Sequence, residues 1–412
     1  MDTLVARCAG IDVGKAEVVV CLRVPGRRAG MHRTEVRTFG TTTRSLLELR
    51  DWLVAERVTR VGMESTGHYW RPVFYLLEDA VETWLVNPQH IKNVPGRKTD
   101  VSDAAWIAQM IEYGLVRPSF VPDKPMRRLR DLTRYRASLI HDRTRQVQRL
   151  HNVLEDAGIK LSLVASDIMG VSGRAMITAL VRGERDPQRL AELALGRLRP
   201  KIPALIEALT GRFDDHHALL CRLMLDQIEG LDAAVAHLDR QIAEEMAPFR
   251  VQLQRLRTIP GVGLRTAEVI IAEIGVDMSR FPTPGHLSSW AGLCPGQHES
   301  AGKRRSGRTR KGDSWLCGTL GEAAVAAART KNTYLAERYR RLARRRGAKR
   351  AQLAVARSML EAAWHVLTYD VDYRDLGADH FLKIARNPQA RANRLVRDLT
   401  ALGYQVQVTK AA

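Results

Sequence analysis

Four acidic residues in the first quarter of the chain have the types and spacing that metal-ion chemistry requires. Asp12 interrupts one apolar run, and Glu64 ends another. Asp100 and Asp103 are three residues apart, a spacing that places both side chains on one face of a helix. Clustered carboxylates favour hard cations, namely Mg2+ or Mn2+. Two such ions can activate an attacking oxygen and stabilise a leaving oxygen at a phosphodiester.

Each of these carboxylates also has an ordinary structural explanation. Asp100 and Asp103 can cap the start of a helix, and Asp12 can pair with Lys15. A lone buried carboxylate is energetically costly, however. Four of them on elements that converge therefore favour one shared metal site over four separate roles.

The elements that carry the acidic residues alternate in an ordered way. Three short β-rich runs within residues 7–39, separated by Gly and Pro, predict an antiparallel meander. Helices and strands are then expected in alternation at residues 43–56, 57–64, 70–80, 81–87 and 102–113. The order βββαβαβα is that of a ribonuclease-H-like domain, although periodicity alone permits other α/β folds. In that fold the first and fourth strands are neighbours, which would bring Asp12 beside Glu64.

Ser300 lies in a second segment with potential for chemistry, the Gly-rich stretch of residues 292–312. Its small neighbours allow a phosphate to approach, and six cations can neutralise a phosphoryl transition state. These cations are Lys303, Arg304, Arg305, Arg308, Arg310 and Lys311. Beyond Glu299 the segment offers no strong base to activate a hydroxyl. Taken alone, it favours a nucleic-acid-binding loop in which the serine is incidental.

Beyond Pro125 the sequence predicts long helices, the first of them strongly basic and ending near Gly158. A seam with alternating three-and-four spacing follows, which is typical of coiled-coil core positions and ends at Pro248. The seam consists of Cys221, Met224, Ile228, Leu231, Val235, Leu238 and Ile242. It predicts helix pairing, either as a hairpin within one chain or as a zipper between two chains.

The whole pattern predicts an α/β domain followed by all-α regions. We expect a nuclease-type domain at residues 1–118 and a basic helical and coiled-coil region at 119–250. A mostly helical domain at 251–375 and a basic tail at 376–412, with one more helix and a strand, complete the chain.

Three shorter motifs have both binding and structural explanations. Gly261 and Gly263 are typical of a helix-hairpin-helix turn, whose amides hold a phosphate, but also of an ordinary turn between helices. The eight Lys and Arg residues within 338–350 form either a solvated helix face or a phosphate-binding surface. The acidic and histidine residues at 214–217 favour a helix N-terminus over a metal cluster.

The overall charge points to a polyanionic partner. The 412 residues carry 65 Lys and Arg against 45 Asp and Glu, a net charge of +20 with a pI near 10.2. Nucleic acid is favoured over an anionic membrane, because the cations are spread over several segments instead of one amphipathic helix. Five separated cysteines without a C-x-x-C pair favour neither zinc nor disulfides. We expect a soluble cytoplasmic protein with no membrane partner.

These motifs together resemble the DEDD transposases of insertion-sequence family 110, which are RNA-guided serine recombinases. The similarity is carried by the sequences GID, ESTGHY, KTDVSDA, IPGVG, GLCP and ESAGK, which begin at residues 10, 64, 98, 259, 292 and 299. No single motif is specific, but the combination is, and it extends over most of the chain.

The resemblance implies a RuvC-like nuclease domain in which Asp12, Glu64, Asp100 and Asp103 bind Mg2+ or Mn2+, with Ser300 as the nucleophile. It also implies a homo-oligomer, a dimer or tetramer, in which the tetrad of one protomer completes a site with the serine of another. A structured bridge RNA would pair with donor and target DNA, and the protein would associate with the bacterial nucleoid when it acts. Nucleic-acid contacts are expected from Lys98, Gly261, Gly263 and the six cations after Ser300.

Three other functions remain open on the sequence. An actin-like ATPase shares the first phosphate loop but requires a second Gly-rich loop, which the sequence lacks. A RuvC-like junction nuclease would use water as its nucleophile, and a non-catalytic nucleic-acid-binding protein would use none. Covalent attachment of the protein to cut DNA distinguishes a serine recombinase from all three.

Overall fold

The computed structural model describes residues 3–26, 31–64, 67–87, 103–296, 298–300, 303–383 and 388–407. The chain forms two compact units, Met1–Val121 and Pro122–Ala412. None of the helices in these ranges is both long enough and apolar enough to cross a bilayer.

The first unit is built on a five-stranded sheet with the strand order β3-β2-β1-β4-β5. Its strands are β1 Cys8–Val13, β2 Glu17–Pro25, β3 His32–Gly40, β4 Arg60–Glu64 and β5 Glu82–Val86. Its helices are α1 Thr43–Ala55, α2 Trp70–Leu77 and α3 Asp103–Glu112. The first three strands are antiparallel, whereas β4 and β5 run parallel to β1.

This strand order is that of the ribonuclease-H-like fold, so the predicted fold class is confirmed. The predicted meander is confirmed as well, and the helices and strands after it occur in the expected order. Strand β4 starts three residues later than expected. The reason is that Arg57 has a positive φ of 53° at the end of the turn after α1, which is incompatible with a strand.

The two faces of the sheet are covered by different helices. Side chains alternate along β1, so Ala9 and Ile11 pack on the core formed with α1 and α2. Cys8 lies on the opposite face and belongs to the core formed with α3, together with Ile107 and Ile111. The central strands are therefore buried on both sides, which explains their nearly continuous apolar sequence.

The second unit is mostly helical. Its elements are α4 Lys124–Asp156, α5 Leu161–Val164, α6 Val171–Val181, α7 Pro187–Glu192, α8 Ile202–Leu209, α9 Asp215–Glu245, α10 Arg250–Leu256, α11 Leu264–Ile274, α12 Pro284–Trp290, β6 His298–Ser300, β7 Lys303–Ser306, α13 Ser314–Arg329, α14 Tyr334–Arg346, α15 Ala348–Tyr369, α16 His380–Lys383 and α17 Pro388–Ala401. The helix expected in the tail is present as α17. The strand expected after it is absent from residues 402–407, and residues 408–412 lie outside the described part.

The long helices α4 and α9 pack side by side in opposite directions. Arg136 near the start of α4 bonds Asp239 near the end of α9, and Asp156 at the end of α4 meets His217 at the start of α9. The seam predicted on α9 lies at this contact, where Cys221, Ile228 and Ile242 are fully buried.

Part of the seam is therefore buried within one chain, as in the hairpin alternative, whereas Met224, Leu231 and Val235 stay partly exposed. The two helices are not joined by a short turn, however, but by helices α5 to α8. These shorter helices pack around the ends of α4 and α9 and share one apolar core with them, to which Leu154, Ile177, Leu190 and Leu205 contribute.

Candidate active site

Asp12 is the next-to-last residue of β1, and Glu64 is the last residue of β4, the parallel neighbour of β1. Strands β1 and β4 are in register, with Ile11 opposite Met63, and the acidic residues follow directly on each strand. The carboxyl ends of both strands therefore present an acid at the same edge of the sheet. This arrangement agrees with the sequence-based expectation for the two residues.

Two glycines on these strands make room for helix α3. Gly10 and Gly62 lie opposite each other in the β1–β4 pair. A Cβ on Gly10 would overlap the carbonyl oxygen of Ala104 and the backbone nitrogen of Ala108, and a Cβ on Gly62 would lie 2.7 Å from Cγ1 of Ile111. The absence of both side chains therefore allows the backbone of α3 to lie directly on the two strands.

The close approach of α3 brings a third carboxylate to the same edge. Asp12 and Glu64 are two residues beyond the glycines, and side chains alternate along a strand, so both lie on the face that α3 covers. Asp103 is the first residue of α3, directly before the Ala104 carbonyl group that faces Gly10. The start of α3 thus lies towards the edge of the sheet that carries Asp12 and Glu64.

The exposure of these side chains suits a site that meets a large substrate. Asp12 is exposed, and Glu64 and Asp103 are partly exposed.

Within the described part of the chain, no three His, Cys, Asp or Glu side chains form a group that could hold a metal ion. Asp100, the fourth predicted ligand, and Lys98 lie outside the described residues. The oxygen donors that are described have the chemistry that a hard divalent cation requires.

The glycine contact yields a test of how α3 is positioned. Gly10→Ala should destabilise the first unit by about 1–3 kcal/mol, because the added methyl group meets helix backbone, which cannot rotate away. Hydrogen exchange followed by mass spectrometry should show faster exchange in the peptides that contain β1 and α3. Gly40→Ala is the matched control, since its Cβ would make ordinary contacts of 3.6 Å or more with Ser45. Equal protection in both variants would contradict the proposed role of Gly10.

Ser300 is the last residue of strand β6 in the second unit. Strands β6 and β7 form a two-stranded antiparallel sheet in which Ser300 pairs with Lys303, so only two residues connect the strands. The sequence predicted a Gly-rich loop here. That prediction was wrong, because the segment forms a β-hairpin. The side chains of residues 297–306, which include Arg304 and Arg305, lie outside the described part.

The base of this serine hairpin, defined as residues 292–312, is closed by two glycines. Gly292 has a φ of 80°, and a Cβ on it would lie 2.8 Å from the backbone nitrogen of Gly312. Above this contact, the backbone N–H of Gly296 donates to the carbonyl oxygen of Arg308 over 3.0 Å. The glycines therefore allow the two ends of the hairpin to lie close together, and this hydrogen bond connects them. Arg308, Arg310 and Lys311 are exposed on the segment between β7 and α13.

A buried ionic network anchors the hairpin where it enters α13. The Asp313 carboxylate caps α13 by accepting from the backbone N–H of Leu316, and it also accepts from Arg134 over 3.0 Å. Arg134 donates two further hydrogen bonds of 2.7 Å to Glu273, which is fully buried. Burial raises the pKa of Glu273, and Arg134 and Arg130 oppose that rise. Arg134 of α4 thereby connects Glu273 of α11 with Asp313, the residue that caps α13.

This network was not predicted from the sequence. The arginines of α4 were predicted to form a basic helix. In the structure, Arg134 binds Glu273 and Arg136 binds Glu268 within the second unit. The acidic partners of these arginines do carry a signal in the sequence. Glu268 and Glu273 lie within the otherwise apolar helix α11, where a buried carboxylate requires a cation.

The two glycines of the predicted helix-hairpin-helix turn have different surroundings. Gly261 has a φ of 87°, and a Cβ on it would lie 2.5 Å from the carbonyl oxygen of Ala323 and 2.8 Å from the nitrogen of Ala327. It is therefore required where the turn packs on α13. Gly263 is exposed directly before α11, and a Cβ there would meet nothing within 4 Å.

Residues 214–217 form a helix N-terminus, as the sequence predicted. The Asp214 side chain accepts from the backbone N–H of His217, and the His217 ring meets the backbone N–H of Asp214, which completes a capping box. The backbone hydrogen bond from His217 lowers the pKa of Asp214.

Two segments of the chain match models of known protein families. Residues 9–159 match the model of the DEDD transposases of the IS110 family, and residues 253–340 match the model described as transposase IS116/IS110/IS902 family. Together the two models match more than half of the chain. The chain belongs to the IS110 family of transposases. It is thus an insertion-sequence transposase, an enzyme class that acts on DNA.

Relatives of this IS110 transposase are also named as transposases of insertion sequences. The transposase for insertion sequence element IS1111A of Coxiella burnetii is 28% identical over 77% of this chain and 80% of the relative. The transposase for IS1328 of Yersinia enterocolitica is 26% identical over 66% of this chain and 72% of the relative. Among solved structures, RuvC of Thermus thermophilus is similar to this chain, with 16% sequence identity and a TM-score of 0.21. The match covers 27% of this chain and 99% of the RuvC chain.

Proposed function

We propose that this IS110-family transposase cuts and rejoins DNA with a carboxylate tetrad and a serine nucleophile, under the direction of a bridge RNA. The observation that carries the proposal is the shared edge of Asp12, Glu64 and Asp103, which the close contact of α3 with two glycines produces. Asp100 completes the tetrad in this proposal. Carboxylate oxygens at one accessible edge of a sheet are the ligands that a hard divalent cation prefers.

The carboxylates are the ligands that would hold Mg2+, or Mn2+ in its place. When bound, the cations supply Lewis acidity to the oxygens of a phosphodiester. The protein contributes the position of the ligands, since Asp12 and Glu64 lie on paired strands and Asp103 on a helix packed against them. Rigid elements hold ligands more accurately than loops do.

Ser300 performs the covalent step in this proposal. Its Oγ attacks the phosphorus, the bond from phosphorus to the leaving sugar oxygen breaks, and the serine proton ends on that oxygen. The product is a serine phosphodiester, which conserves the energy of the broken bond. Attack by a sugar hydroxyl of a second strand reverses the chemistry, releases Ser300 and joins the strands without ATP.

The hairpin has features that suit this role. Its glycine base and the Asp313 cap fix its two ends, so the Ser300 backbone lies at the tip of a held structure. Arg308, Arg310 and Lys311 are exposed on the same hairpin, where they would contact phosphates together with Lys303, Arg304 and Arg305. Lys98 and the amide groups at Gly263 are the other proposed contacts. Gly261 contributes by packing the turn on α13.

Guidance by RNA and assembly into an oligomer complete the proposal. The net charge of +20 suits simultaneous binding of RNA and of donor and target DNA. A dimer or tetramer would allow the tetrad of one protomer to act with Ser300 of another. We place the active protein in the bacterial cytoplasm, associated with the nucleoid.

Reconstitution of the joining reaction tests the RNA-guided function. The protein is purified from cells that carry its native element, the bound RNA is sequenced, and donor and target DNA are added with Mg2+. We expect one structured RNA from the element itself, and joined DNA only when that RNA is present. A matched reaction with the same RNA in scrambled sequence should give no joined product. Joining without RNA would contradict the guided mechanism.

A further inference from the structure

Five cations cluster where helix α14 ends and helix α15 begins. Arg344, Arg345 and Arg346 form the last turn of α14, and Lys349 and Arg350 lie in the first turn of α15. All five are exposed, and only Gly347 and Ala348 separate the two groups. We call these five residues the basic corner.

The basic corner differs from Arg340 and Arg357, which precede and follow it, in having no acidic partner within the described residues. Arg340 pairs with Glu337 over 3.0 Å, and Arg357 pairs with Glu361 over 2.8 Å. Within the described ranges of the chain, the five corner residues form no ion pair. Their charges therefore remain available to an external anion.

Helix stability does not account for the whole cluster. Cations in the last turn of α14 interact favourably with the helix dipole. Lys349 and Arg350 have the opposite effect, because a cation in the first turn of a helix is disfavoured. The first turn of α15 has no acidic residue, and Gly347 provides no capping side chain. These two residues are locally unfavourable for the fold, which points to a binding role.

We propose that the basic corner binds the phosphate backbone of duplex DNA beside the strands that are exchanged. Residues 341–351 contain no aromatic side chain that could stack on an unpaired base, and no hydroxyl or amide side chain. The basic corner can therefore bind phosphates through charge alone, which suits a DNA duplex of any sequence.

The position of the corner within the second unit favours DNA over RNA. Helices α14 and α15 both pack on α13, the helix whose first turn is capped by Asp313 at the base of the serine hairpin. The corner thus belongs to the same helical assembly as Ser300, whose proposed substrate is DNA. This inference rests on the proposed function for the choice of DNA.

The salt dependence of binding tests the proposal with the full chain. The Arg345→Gln/Lys349→Gln double variant and the wild type are titrated with a duplex DNA of random sequence over a range of NaCl concentrations, without divalent metal. Each lost phosphate contact lowers the slope of log Kd against log salt by about 0.9, so the slope should fall by about 2. The Arg340→Gln/Arg357→Gln variant removes the same charge from residues that have acidic partners, and its slope should change by less than about 1.

The outcomes separate this inference from the catalytic proposal. A fall of about 2 in the corner variant alone supports the duplex-binding surface. Equal changes in both double variants would overturn it, because net charge would then account for the effect. A change seen with structured RNA but not with duplex DNA would also overturn it. Since no strand is cut in this experiment, failure of Ser300 as a nucleophile would leave the result unaffected.

Discussion

Asp12→Asn is expected to abolish metal-dependent cleavage of DNA while nucleic-acid binding is largely retained. The substitution keeps the shape of the side chain but removes the charge that a divalent cation requires. We expect the cleavage rate to fall more than about a hundredfold, because metal ions contribute several kcal/mol to phosphoryl transfer. Asp12 is exposed at the end of β1, so the fold should persist. Single-turnover cleavage with labelled DNA and Mg2+ measures the effect, and Glu64→Gln should behave alike.

Asp51→Asn provides the matched control. Asp51 is an exposed acid in the same unit, on helix α1, where it pairs with Arg50 over 2.7 Å. Its removal changes the net charge by the same amount but should leave cleavage unchanged. Full cleavage by Asp12→Asn would contradict the assignment of the metal site. A loss in both variants would point to net charge instead.

Ser300→Ala is expected to stop both cleavage and rejoining. The variant lacks the oxygen that forms the bond to phosphorus, so the remaining activity should be more than about a thousandfold lower. Metal binding, RNA binding and folding should persist, since the substitution removes one atom at the tip of a hairpin held by its base. Gel assays of cut and joined strands, with circular dichroism as a check on folding, measure these effects.

Ser306→Ala is the control in the same hairpin. Ser306 ends strand β7, and the family pattern does not select it as the nucleophile. We expect wild-type cleavage from this variant. If Ser306→Ala were inactive and Ser300→Ala active, the nucleophile would have to be reassigned.

The fold of the first unit was largely predictable because its sequence pattern is local. Alternating apolar residues and short turns predicted the meander, and the helical and strand periods that follow predicted the remaining order. The start of β4 was not predictable, because the positive φ of Arg57 depends on how the chain leaves α1. No residue type at that position signals it, since arginine rarely adopts this conformation.

The sequence correctly predicted that Asp12 and Glu64 lie on neighbouring strands, whereas their role as metal ligands stays a prediction. The sequence identified Asp12, Glu64 and Asp103, yet the contact that assembles them depends on Gly10 and Gly62. Nothing in either glycine alone reveals that they lie opposite each other under one helix. That fact follows from the register of β1 and β4, which is set by packing over the whole sheet.

The second unit shows a different limit of sequence analysis. The seam of α9 indicated helix pairing, but periodicity did not distinguish a partner chain from α4. Charge was likewise ambiguous, because Arg134 and Arg136 neutralise buried acids while Arg344 to Arg346 have no acidic partner in the described structure. These arginines are alike in sequence context. Their short distances to Glu273 and Glu268 identify Arg134 and Arg136 as structural cations.

The covalent bond between Ser300 and DNA is the most direct test of the proposed mechanism. Wild-type protein is incubated with Mg2+, guide RNA and end-labelled DNA, denatured, digested with protease and analysed by mass spectrometry. We expect a nucleotide adduct on the peptide that contains Ser300, and no protein-linked label with Ser300→Ala. Cut DNA without any linked protein would contradict the serine mechanism and support a RuvC-like nuclease that uses water.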